Sequence, residues 1–125
     1  MRKLGIMSAA LVALGTLASA DYIIIASSST GDDFYVEVDS IKKHSGYVYF
    51  WEIIDQLIPD DYGDISTEAY IEAVCDGPRK TRRLTNHFYA KPMAEGPRTE
   101  SFTNPSDWQY VRPGSVSEAV LDFVC

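Results

Sequence analysis

Apolar residues follow a period of two along most of this chain and switch to a helical period at its end. Tyr22-Ile23-Ile24-Ile25-Ala26 is a β-branched run that predicts a first strand, closed by the polar turn Ser27 to Asp32. Phe34, Val36 and Val38 then alternate with Tyr35, Glu37 and Asp39, the pattern of a half-buried strand. Asp39 to Lys43 reads as a turn. From Tyr47 to Ile58 apolar residues occupy both parities, which predicts a central strand covered at least in part on both sides.

Pro59 to Asp64 is an acidic, turn-rich loop. Beyond it Ile65, Thr67, Ala69, Ile71, Ala73 and Cys75 share one parity, and Glu68, Tyr70 and Glu72 share the other. Cys75 is thereby placed on the apolar face. Asp76-Gly77 signals a hairpin, and Pro78 prevents pairing directly after it. Arg79 to Ala90 is the returning strand, and the basic residues on both of its parities near the turn predict a solvent-exposed end. Lys91 to Asp107, with Pro92, Gly96, Pro97 and Pro105, reads as a long loop holding a short strand at Thr99 to Phe102. Trp108 to Val111 is a last short strand.

The period then changes. Ser115 and Glu118 fit an S-x-x-E capping box, in which each side chain satisfies a backbone N–H left open by the first helical turn. Val116, Ala119, Val120, Phe123 and Val124 form the expected apolar stripe, with Leu121 off it. A helix of about nine residues is marginal alone and must dock. The predicted fold is therefore α+β: a small antiparallel sheet of about five to six strands, with a C-terminal α-helix packed on one face.

The first 20 residues carry a different signal. Arg2 and Lys3 precede a mostly apolar run from Leu4 to Leu17, and Ala18-Ser19-Ala20 fits a signal-peptidase site. Residues 1–20 are expected to be a cleaved signal peptide and residues 21–125 a single domain. The apolar run falls short of the roughly 20 residues of a spanning helix, so no membrane span is expected. Export makes a disulfide between Cys75 and Cys125 the simplest use of the chain's two cysteines. The alternatives are free thiols or metal ligands, but a metal site wants a CxxC pair or convergent histidines, which this sequence lacks. The bridge would tie the helix to the apolar face of the sheet.

Residues 21–125 keep 9 of the 11 basic residues and all 18 acidic ones, a formal charge of −9. Such a chain is repelled by nucleic acid, which is excluded as a partner. The one basic cluster is Arg79, Lys80, Arg82 and Arg83. It is a candidate partner-binding patch for an acidic segment, set against the plainer reading of charges that balance Glu68 and Glu72 across the strands. No nucleophile elbow, zinc-protease motif or dinucleotide fingerprint is present. His44 and His87 stand without partners at metal-ligand spacing, and the loop Asp60 to Asp64 lacks EF-hand spacing. No enzyme, cofactor or metal site is expected. The aromatic residues on the strands serve the core, and some are candidates for a partner-binding face.

Four segments together carry a resemblance. They are Phe34 to Ile41, the strand around Trp51, the hairpin Tyr70-Ile71-Glu72-Ala73-Val74-Cys75-Asp76-Gly77 with its Arg-rich return, and Trp108-Gln109-Tyr110-Val111-Arg112-Pro113-Gly114-Ser115 closing on Val124-Cys125. They resemble the bacterial surface-adhesin protein E family over nearly all of residues 22–125. The resemblance implies an antiparallel sheet with a C-terminal helix tied by the disulfide, and homodimers through the sheet. It also implies a non-enzymatic, adhesin-like protein of the bacterial envelope that binds a protein partner. The alternative is a periplasmic structural or envelope-accessory protein. No cysteine follows the cleavage site to take a lipid anchor, so a periplasmic or secreted protein is expected rather than one displayed on the surface.

Overall fold

The structure is a computed structural model that describes residues 21–125; the predicted signal peptide lies outside the described residues. The alternating segments become β1 (Tyr22–Ser27), β2 (Asp33–Glu37), β3 (Lys42–His44), β4 (Tyr47–Asp55), β5 (Ser66–Val74), β6 (Lys80–Tyr89), β7 (Arg98–Phe102) and β8 (Gln109–Tyr110), followed by helix α1 (Val116–Val124). All pair antiparallel in one sheet of order β1-β2-β4-β5-β6-β7, with β3 beside β4 and β8 beside β6. The eight strands exceed the expected five to six: Lys42–His44, at the end of the segment read as a turn, forms β3, and the short strand expected at Trp108 to Val111 is β8.

One face of the sheet carries the core. Val36, Val48, Phe50, Ala69, Ile71 and Ala73 project from β2, β4 and β5 and meet Val120, Leu121 and Val124 of α1. Cys75 lies on that side, as its parity predicts, and is bonded to Cys125 with the two Cα atoms 5.9 Å apart. The bridge closes a loop spanning 50 positions, which stabilises the fold by about 4 kcal/mol on the chain-entropy account.

The N-cap of α1 forms as its sequence requires. Ser115 Oγ accepts from the Glu118 N–H at 3.2 Å, and the Glu118 carboxylate accepts from the Gly114 N–H at 2.9 Å. The buried stripe differs from the expected one. Leu121 is 1% exposed and Phe123 is 43% exposed. Both candidate faces of the helix share Val116, Val120 and Val124. Cys125 stands one turn beyond Leu121 on the same flank, so the tether to Cys75 turns that flank inward and Phe123 outward.

The turn end of the β5–β6 hairpin also departs from expectation. Asp76, Gly77 and Pro78 are exposed, but Arg79 to Arg83 are half-buried, because β8 pairs across Lys80 and Thr81. Arg79 meets Asp122 of α1 at 3.0 Å.

Candidate functional site

The face of the sheet opposite α1 is built by the other parity of the same strands. In register, Tyr47, Tyr49, Trp51 and Ile53 of β4 pair with Val74, Glu72, Tyr70 and Glu68 of β5. Those four in turn pair with Lys80, Arg82, Thr85 and His87 of β6. A bulge places Arg83 opposite Ile71 and Thr85 opposite Tyr70, so Leu84 is skipped and the parity of β6 reverses there. Without the bulge, Arg82 and His87 would point to opposite faces.

The rings of this face form a continuous strip. Trp108 stacks on Tyr47 at 6.2 Å between centroids, Tyr47 lies 6.4 Å from Tyr49, and Tyr49 stacks on Tyr70 at 6.1 Å. Tyr70 lies 4.9 Å from Trp51, which stacks on His87 at 5.9 Å. The spacings are those of offset aromatic pairs. Tyr47, Tyr49, Trp51, Tyr70 and Trp108 all stay half-buried. At the far end of the face the 3-10 turn Pro92–Ala94 folds over Asp55 and Ser66, held by the Met93 N–H on Asp55 Oδ1 and the Ala94 N–H on Ser66 Oγ.

Charge is arranged along the strip. Glu72, 7% exposed, accepts from the Tyr49 hydroxyl at 2.7 Å and from Arg82 Nε at 2.6 Å. The hydrogen bond to Glu72 is the main reason the Tyr49 hydroxyl is pushed up to about 12. Arg82 lies 4.6 Å from the Trp108 ring centre and Lys80 Nζ 4.9 Å from it, both within cation–π range. On the other side Lys42 and His44 of β3 flank a depression floored by Tyr49 and Tyr70. His87, 8% exposed, is fixed by Ser101 Oγ at 2.8 Å from its Nδ1, and burial lowers its pKa.

The four basic residues singled out from the sequence do not share one surface. Lys80 and Arg82 join the aromatic strip; Arg79 turns to α1, and Arg83 turns to the core side, where it donates to Asn86 at 3.2 Å. Cross-strand balance explains part of the cluster, since Arg82 and Glu72 are an ion pair.

The profile of the family described as "Surface-adhesin protein E" matches residues 22–125. The chain belongs to the surface-adhesin protein E family. The fold agrees: the crystal structure of Haemophilus influenzae protein E, at 15% sequence identity, superposes with a TM-score of 0.62 over 83% of this chain and 86% of that one. No curated protein matches the sequence. Membership makes this adhesin-like domain an exported binding protein of the bacterial envelope, in a family of adhesins rather than enzymes.

No helix among the described residues is long and apolar enough to cross a membrane. No group of three or more His, Cys, Asp or Glu among them converges as a metal site.

The sequence marks the strand aromatics as candidates for a partner-binding face, but the continuity of the strip and a second feature escape it. The strip is assembled from four separate segments and a bulge, and only its β4 members are adjacent in the chain. The second feature is Glu52, which shares the parity of Val48 and Phe50 and so points to the core side at 8% exposure. The available signal is that Glu52 is the single acid between Tyr47 and Ile54.

Proposed function

We propose that the aromatic strip is the surface through which this adhesin-like domain captures a protein partner on a host surface. The observation that carries the reading is the continuous run of half-exposed rings from Trp108 to Trp51 on the face that α1 leaves free. Tyrosine and tryptophan offer large contact area with few rotatable bonds, which favours them at interfaces. Lys42 on one border and Lys80 and Arg82 on the other favour a partner segment that carries acidic residues. Arg79, Arg83 and the helix take no part in this reading.

We propose a periplasmic or secreted location, because no cysteine follows the predicted cleavage site, and capture of a host partner requires the secreted one; fractionating expressing cells tests the location, with the protein expected in the medium. For binding, the purified protein and a Tyr49→Ala/Tyr70→Ala variant are passed over an immobilised panel of host extracellular proteins. The parent is expected to bind at least one member and the variant to bind it at least tenfold more weakly. Equal binding by the two proteins overturns the assignment of the strip. Sedimentation at increasing concentration checks whether two copies meet through the same face. A parent dimer that Tyr49→Ala/Tyr70→Ala disperses, with no binding to the panel, would replace capture by self-association.

A further inference from the structure

The core face holds a second opening. Between α1, β6 and β8 lies a cleft of about 620 Å³, walled by Phe50, Ile71, Val116, Val120 and Leu121. That volume lies within the range of small-molecule sites. Ser117, exposed and one turn before Leu121 on α1, lines the edge of this cleft, and its small side chain leaves space that a larger residue would fill.

Glu52 lines the cleft at 8% exposure and has no hydrogen-bond partner among the described residues. Every other buried carboxyl here is satisfied: Glu72 by Tyr49 and Arg82, and Asp64 by Thr99. A buried polar group without a partner costs free energy that an occupant able to donate would recover. Three arginines, Arg82, Arg83 and Arg112, lie along the lining, and the Arg82 guanidinium is held on the opposite face by Glu72. Arg83 is the charged group that acts on Glu52, and it already donates to Asn86; Arg112 is exposed at the opening. The cleft thus offers an acid in its depth, apolar walls and a cationic mouth.

We propose that this cleft binds a small zwitterion with an apolar body, the chemistry of a short apolar peptide with free ends, its ammonium on Glu52 and its carboxylate toward Arg112. The site stands independently of the aromatic strip, which lies on the opposite face. Burial pushes the Glu52 carboxyl up to about 7, so the ammonium finds an ionised partner above that pH and a neutral one below it. The cleft-lining segments bring Arg82 and Arg83 from β6 and Arg112 and Tyr110 from the β8 segment, the Arg82 guanidinium being paired with Glu72 on the opposite face, and α1 brings no ionisable group.

Trileucine, its N-acetylated form and its C-amidated form are the probes, titrated into the mature protein by calorimetry with amide shifts followed by NMR. Free trileucine is expected to bind with shifts around Glu52, Thr81 and Ser117, and to weaken as pH falls from 8 to 6. Blocking either end is expected to weaken binding about tenfold, the value of one charge-assisted hydrogen bond. Glu52→Gln should remove the penalty of acetylation, and Arg112→Ala, at an exposed position, the penalty of amidation. Equal binding of the three peptides overturns the proposal, as does no binding of free trileucine at millimolar concentration, or shifts confined to the aromatic face.

Discussion

Glu52 and Leu121 show how a single side chain sets a measurable property of this fold. Glu52 gains its proton far more readily when folded than in the open chain, where the ordinary value is 4.5. A folded-state pKa raised to about 7 means that stability is full at acid pH and falls as pH rises from about 4.5 through 7. The change is about 3 kcal/mol at the conversion of 1.36 kcal/mol per pKa unit. His87 titrates in the opposite sense nearby, so the informative quantity is the difference between the parent and Glu52→Gln, measured by urea unfolding from pH 5 to 8. The variant is expected to lose most of the slope. At Leu121, truncation to Ala should cost about 2–5 kcal/mol, while Phe123→Ala should cost less than about 1 kcal/mol. Reversed costs in thermal unfolding would show that the helix is turned the other way. The parity that places Cys75 on the core side is plain in the sequence. The choice between Leu121 and Phe123 is not, because three valines fit either stripe and a distant tether decides.

At the scale of elements, the strands were readable wherever alternation was clean, as in β5, and the capping box gave the start of α1 outright. The short strand β3 was not separable from a turn, since three residues carry no period and their pairing depends on a neighbour already in place, whereas the aromatic and β-branched residues from Trp108 to Val111 gave β8. The bulge in β6 was hidden for a related reason: nothing local to Leu84 marks it, and it is defined only against Tyr70 and Ile71 on the partner strand. The helix depends on its tether more than on its own propensity. Cys125→Ser is expected to lower stability by about 4 kcal/mol and to raise amide exchange in Val116–Val124 above that of β4 and β5. Ser115→Ala should cost about 1 kcal/mol through loss of the cap. Unchanged exchange in the first variant would mean that packing alone holds the helix.

On the scale of the whole molecule, the charge of residues 21–125 is strongly negative, yet Lys42, Lys80 and Arg82 gather around the rings of one face. Partner association through that face should therefore slow several-fold as salt is raised until the Debye length drops from about 10 Å to about 3 Å. A Lys42→Glu/Lys80→Glu variant should show little of that dependence in surface-binding kinetics, and an unchanged salt slope would assign the attraction elsewhere. The chain has two tryptophans, Trp51 and Trp108, and both belong to the strip of rings, while the cleft under the helix is lined by none. The domain consequently carries an intrinsic optical reporter: indole fluorescence should respond to whatever covers the open sheet and stay silent to whatever enters beneath α1.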